Sequence, residues 1–410
     1  MTSNSLFSCD VCGTTFRIRC QTSPQQCPVS FRCPTCLTSF TGSIPENGTE
    51  PRGVLHLTKS VKAPAGYVVE FSPDFVTSKI RKEDGVGKTL TPFLNNMGRC
   101  NPEKIEACQR QRWELSKTLP EVVVAADLYN HGKYSFVENF IKESKIPAAK
   151  ATFIGPKSPV PSLSIDSLKY SHRFLIFGLK NTVRPDIFDL YDRIFRLLDE
   201  VDSHETTNLM EYLGGKSFFA TNKQKIEELI FGFAGLYNNL FPLYILDWDL
   251  KKINLQTEGI NSIDYSTLLI FYSKAFETLC DCSDLPIGLN NVAMRGSYTS
   301  FPSGEKDFSK YLSKYNTKTN KFHMGINCLE PFSFPFTGLC QNVIRNSAAH
   351  FSTSFDPLTQ IIQFVDMKKT ISMTLIEFAY ECYLMYNALF LTLEILVQSS
   401  KYYLLSLELR

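Results

Sequence analysis

Apolar positions recur most regularly in the second half of the chain. Lys223 to Leu240 carries Ile226, Leu229, Ile230, Phe233, Leu236, Tyr237 and Leu240. Steps of three and four residues line one face of a helix, and Pro242 then ends or kinks it. Ser262 to Cys282 repeats the pattern through Leu268, Phe271, Phe276 and Leu279, and Phe336 to His350 predicts a third helix. From Phe351 to Asp366 the period drops to two around a turn at Asp356-Pro357-Leu358-Thr359, which predicts a hairpin. A long helix is expected from Thr370 to Gln398, with Tyr402 to Leu409 as a tail helix. Residues 283–333, rich in Pro, Gly, Ser and Asn, read as an insertion. Residues 216–410 are therefore expected to form a four-helix bundle with a β-hairpin before its last helix.

The pattern is weaker upstream. Residues 66–215 predict a mixed, mostly helical region of unknown fold and role. It holds a strand at Tyr67–Phe71, a helix at Asn101–Lys117, and two short helices over Glu121–Glu143 broken at His131-Gly132. A Pro-rich connection at Lys157–Pro161 and a helix at Asp186–Val201 follow. Residues 41–65 read as a linker, and residues 1–40 lack core-forming runs. The fold class is mainly α with a small N-terminal β module.

Composition narrows the function. A chain of 410 residues is expected to hold two or three domains, and 43% hydrophobic with 20% charged residues is globular. A net charge of +2 gives no global field for a polyanion, so a nucleic-acid site has to be local. Met1-Thr2-Ser3-Asn4-Ser5 lacks a secretory n-region, which predicts a cytoplasmic protein. Ile371 to Val397 is long enough to span a bilayer but carries Glu377, Glu381 and Glu394, each costly at its centre. A buried helix is expected there, with no membrane partner. In a reducing compartment thirteen cysteines point to metal ligands or buried thiols, not disulfides.

Four of those cysteines are spaced for metal. Cys9-Asp10-Val11-Cys12 and Cys33-Pro34-Thr35-Cys36 each place two sulfurs on one tight turn. They resemble the knuckles of the zinc-ribbon family, over these forty residues only, and predict a structural Zn²⁺ held by Cys9, Cys12, Cys33 and Cys36. Four thiolates close the coordination sphere, so no metal-bound water is expected. Cys20 and Cys27 either replace a ligand or are free thiols. Arg17, Arg19 and Arg32 offer the ribbon a contact with nucleic acid.

The other candidate is Arg345-Asn346-Ser347-Ala348-Ala349-His350, at the end of the third predicted helix. A helix brings Asn346 and His350 onto one face with Arg345 beside them, and the small residues between leave room for a second helix. Guanidinium grips phosphate and imidazole moves protons near neutrality, so these groups suit attack by a ribose 2′-hydroxyl without a metal. The motif resembles the R-x4-6-H signature of the HEPN superfamily, helical domains that act on nucleotides and RNA and are common in prokaryotic defence and toxin systems. The resemblance implies an endoribonuclease in antiviral defence or a toxin–antitoxin-like system, with RNA as substrate. Arg345, Asn346 and His350 would be its catalytic residues. It also implies a homodimer with a composite site, and restraint by a regulatory protein or activating ligand. The alternative is a non-catalytic HEPN-like scaffold that binds nucleic acid or protein. In the plainest reading, Arg345 pairs with a carboxylate and His350 caps a helix end.

Gly85-Val86-Gly87-Lys88-Thr89 lacks the first glycine of a P-loop, since residue 82 is lysine, and reads as a surface turn. Cys280 and Cys282, with Cys328 or Cys340, read as buried thiols before metal ligands. Asp247 and Asp249 are expected to line the cleft or pair with Arg345. His56, His131, His172, His204 and His323 show no ligand or triad spacing.

Overall fold

The computed structural model describes residues 2–61, 64–83, 91–96, 98–144, 165–199, 203–301, 307–308, 332 and 339–408. Gly85–Thr89, Lys157–Pro161, His323, Cys328 and the start of the third predicted helix lie outside them. Helices predominate. The chain divides into two compact units, each drawn from three stretches: Met1–Arg112, Leu236–Ile270 and Val343–Cys382 in the first, and Trp113–Gly235, Phe271–Asn342 and Tyr383–Arg410 in the second.

Two hairpins begin the first unit. β1 (Thr2–Cys9) pairs with β2 (Thr15–Gln21), and β3 (Cys27–Arg32) with β4 (Ser39–Ile44). Along β2, Phe16, Ile18 and Cys20 are buried and alternate with Arg17 and Arg19, as a strand with one core face requires. Phe16 meets Phe31 and Phe40 edge-on, at 5.6 and 5.9 Å between ring centroids.

The sheet continues past residue 40. The span read as a linker supplies the end of β4 and β5 (Leu57–Lys59), which pairs with β1. β6 (Tyr67–Phe71), where a strand is predicted, runs parallel to β2 and adds Val69 and Phe71 to the same core. β7 (Thr77–Ser78) and β8 (Arg81–Lys82) follow, and β8 completes a sheet ordered β5-β1-β2-β6-β8.

The helices are α1 (Pro92–Asn96), α2 (Pro102–Asn130), α3 (Tyr134–Glu143), α4 (Ile165–Leu179), α5 (Asp186–Asp199), α6 (Ser203–Tyr212), α7 (Gly215–Gly235) and α8 (Tyr237–Ile245). After β9 (Glu258–Gly259) come α9 (Tyr265–Cys282), α10 (Asp284–Arg295) and α11 (Asn342–Ala349). The predicted break at His131-Gly132 separates α2 from α3, with Gly132 at φ +70°. Two helix boundaries differ from those expected. α2 runs through Pro120, so two predicted helices are one, and Pro242 sits inside α8 while the break falls earlier, at Leu236.

The expected hairpin is a three-stranded meander: β10 (Thr353–Asp356), β11 (Ile361–Asp366) and β12 (Lys369–Thr374), all antiparallel. β12 takes residues predicted to open the last helix, which runs instead from Leu375 to Glu408 (α12) and absorbs the predicted tail. By length and composition α12 could cross a membrane, but 89% of its most apolar stretch is buried within the protein.

Two side chains tie the meander to the strands of the first unit. Gln360, buried at the β10–β11 turn with φ +52°, accepts from Ile260 N–H at 3.1 Å and donates to Ile260 O and Asn261 Oδ1, each at 3.0 Å. Asn261 in turn donates to Glu70 O at 3.1 Å, and its carbonyl accepts from Ser30 N–H at 2.7 Å. In the second unit, α4, α5 and α12 meet through buried polar pairs. Thr182 and Tyr386 share a hydrogen bond at 2.7 Å, and Arg184 N–H donates to Asn387 Oδ1 at 2.8 Å.

Candidate functional site

The two cysteine knuckles have the same local structure because they share a local sequence. Cys9-x-x-Cys12-Gly13-Thr14 and Cys33-x-x-Cys36-Leu37-Thr38 each close when the first cysteine's N–H reaches the threonine carbonyl, at 2.8 and 2.9 Å. The fifth residue turns left-handed in both, Gly13 at φ +74° and Leu37 at φ +62°. Each tight turn connects the strands of its own hairpin, so folding the hairpins brings the knuckles face to face. All four sulfurs lie within 4.8 Å of one another, with Cys9–Cys36 at 3.7 Å and Cys12–Cys33 at 3.6 Å.

Metal–sulfur bonds of about 2.3 Å at tetrahedral angles put sulfurs about 3.8 Å apart, so the quartet fits one metal ion. Backbone N–H groups of Val11 and Cys12 donate to Cys9, and those of Thr35 and Cys36 donate to Cys33, which suits thiolate charge. Burial raises the Cys9 thiol, whereas hydrogen bonds from Thr38 lower that of Cys36 to about 6.

Cys20 and Cys27 are outside this cluster. Both are buried, and burial pushes the Cys20 thiol up to about 12. They are core residues. Cys280 and Cys282 are buried as well, and burial raises Cys282 to about 12.

The three ribbon arginines offer less to a polyanion than the sequence implies. Arg17 pairs with Glu83 at 2.5 Å, and Arg19 pairs with the buried Glu70. Arg32 donates to both oxygens of Asp264, at 2.9 and 3.3 Å, and lies over the Tyr265 ring at 4.8 Å. Tyr265 stacks on Phe355 of β10, with centroids 5.0 Å apart. Neutralised in this way, the arginines act as anchors.

α11 buries Val343, Ile344 and Ser347, leaves Arg345 and Asn346 half-exposed, and ends at the exposed His350. His350 N–H still reaches Asn346 O, at 2.9 Å. Phe351 then turns left-handed at φ +54°, and Ser352 N–H returns to Ser347 O at 2.9 Å, a Schellman ending. Arg345 donates to Asn346 Oδ1 at 3.0 Å, and Asn346 Nδ2 donates to Asp366 Oδ2, at the end of β11, at 2.8 Å. Guanidinium, carboxamide and imidazole thus stand at one helix end, with the carboxamide fixed by the neighbouring strand. Phe351 is 93% and Met367 97% exposed beside them.

Compared with protein-family models, curated proteins and solved structures, the chain matches none.

Asp247 pairs with Lys104 and Lys252, and Asp249 accepts from Lys251 N–H at 3.1 Å. A carboxylate that does reach the motif is that of Asp366, which no local spacing announces. His172, which shows no ligand or triad spacing in the sequence, lies buried 2.9 Å from Glu394, which is 222 positions away in the chain. Lys223 and Glu227 form a buried ion pair whose i, i+4 spacing was readable in the sequence.

Proposed function

We propose that this protein is a metal-independent endoribonuclease of the HEPN type, acting on RNA as a homodimer, with the cysteine quartet holding a structural Zn²⁺. The observation that carries the reading is the outward placement of Arg345, Asn346 and His350 at the end of α11. In the reaction, the ribose 2′-oxygen bonds to phosphorus as its proton passes to a base. The phosphorus–O5′ bond breaks, and an acid protonates the departing oxygen. The products are a 2′,3′-cyclic phosphate and a 5′-hydroxyl. One imidazole cannot hold both roles at the same instant, so His350 from each of two copies would supply base and acid. Arg345 would stabilise charge on the non-bridging oxygens, and Asn346 would orient the phosphate.

Zinc follows from the donor set: four thiolates at tetrahedral spacing suit a closed structural site. Metal analysis of the purified chain should give one zinc per chain, and less after Cys12→Ser.

A second reading has its own support. Asp366 sets a carboxylate beside Asn346, where it would repel phosphate, and this favours a scaffold that binds without cutting. The two separate by experiment. Wild-type protein, His350→Ala and Arg345→Ala are incubated with end-labelled tRNA after brief exposure to EDTA. Cleavage to cyclic-phosphate ends, lost by about a hundredfold or more in either variant, is the expected result. Cutting that survives His350→Ala, or none by wild type under any activating condition, leaves the scaffold.

A further inference from the structure

The second unit holds a cavity of about 300 Å³, whose lining includes the exposed Ala220, Thr221 and Gln224. That volume is at the lower end of small-molecule sites. Its walls combine two aromatic pairs with one charged group. Tyr129 and Tyr134, from α2 and α3, pack with centroids 5.2 Å apart, and Phe219 and Tyr403, from α7 and α12, with centroids 5.8 Å apart.

The charged group is Lys223, only 3% exposed. Its ammonium is 2.6 Å from Glu227 Oε1 and 3.1 Å from Asn130 Oδ1, and lies over the Tyr129 ring at 4.3 Å. Asn130 Nδ2 closes the ring of contacts by donating to Glu227 Oε2 at 2.8 Å. Lys223 and Asn130 line the cavity, whereas Glu227 stands behind them. Burial lowers the amine from the usual lysine range while Glu227 opposes the shift.

The electrostatics choose the ligand. Among the described residues Lys223 is the one cation lining the cavity, and Glu227 already neutralises it, so a ligand anion would enter a low-dielectric space with no counter-charge of its own. A ligand cation would face Lys223. The ammonium sits against Glu227, donates to Asn130 and lies over the Tyr129 ring, and because Lys223 lines the cavity a ligand acceptor would meet it there. The aromatic walls favour a flat ring.

We propose that this cavity binds a small, uncharged heteroaromatic molecule, of nucleoside size or smaller, whose hydrogen-bond acceptor meets the Lys223 ammonium. The site stands whether or not the chain cuts RNA.

Matched probes test it on the full-length protein. Indole and adenosine are the uncharged members; indole-3-acetate and AMP carry the same rings with an anionic group. Melting temperature and calorimetric titration are read for wild type and for Thr221→Trp, which adds bulk to the cavity lining from an exposed position and spares the core. At least one uncharged probe should raise the melting temperature of wild type. It should bind about tenfold or more tighter than its anionic partner, and lose that binding in Thr221→Trp. Exchanging the pair together, Lys223→Met with Glu227→Gln, should also weaken it while keeping the site neutral. The proposal fails if neither uncharged probe binds, if an anion binds better than its uncharged partner, or if Thr221→Trp binds as wild type does.

Discussion

Phe351 is expensive where it stands. A bulky side chain in the left-handed region costs about 1–2 kcal/mol, and its ring is 93% exposed, so packing does not offset the cost. Glycine at that position would end α11 with less strain. Phe351→Gly should therefore raise stability by about 1 kcal/mol in urea unfolding. If the ring contacts RNA beside His350, the same change should lower cleavage or RNA binding. A variant both more stable and fully active would deprive the aromatic of a role. Local spacing disclosed the cysteine quartet that could hold a metal ion and the Arg345–His350 motif because each lies within one turn or one helix end. The partners of Arg19 and Arg32 were hidden, since Glu70 and Asp264 arrive from 51 and 232 positions away.

Element boundaries were readable where a side chain punctuates them. Thr374 and Glu377 form a reciprocal capping box: Thr374 N–H donates to Glu377 Oε2 at 2.7 Å, and Glu377 N–H donates to Thr374 Oγ1 at 3.3 Å. That T-x-x-E signal places the start of α12 correctly; apolar content alone put it five residues early, inside β12. Thr374→Ala should cost about 1 kcal/mol. Gln360 had no such signal, because its partners Ile260 and Asn261 are remote in sequence. Gln360→Ala leaves three polar groups unpaired, and a loss of about 2–4 kcal/mol is expected in chemical denaturation. A loss below that of Thr374→Ala would mean water replaces the amide. Space at Gly259 is equally tight, since a Cβ there would lie 2.2 Å from Gln360 Oε1.

At the scale of the whole molecule, the metal knuckles and the α11 motif belong to one compact unit despite some three hundred positions between them. Asn261 and Gln360 carry the connection from β3 and β6 to the meander, and Asp366 carries it on to Asn346. Metal removal should therefore loosen more than the ribbon. Hydrogen exchange after chelation is expected to show residues 2–44 and 353–374 losing protection together. Loss confined to 2–44 would show that the bridge carries no coupling.

A unit assembled from three separated stretches also sets an order of events during translation. The phenylalanine core of the ribbon can close once β6 has been made, but its Asn261 clasp comes nearly two hundred codons later, and Gln360 later still. The arginine–histidine helix end and the strand that braces it leave the ribosome about three hundred codons after the cysteine knuckles. That helix end is braced only once Asp366 has been made, so its carboxamide cannot be fixed while the first two hairpins alone are folded.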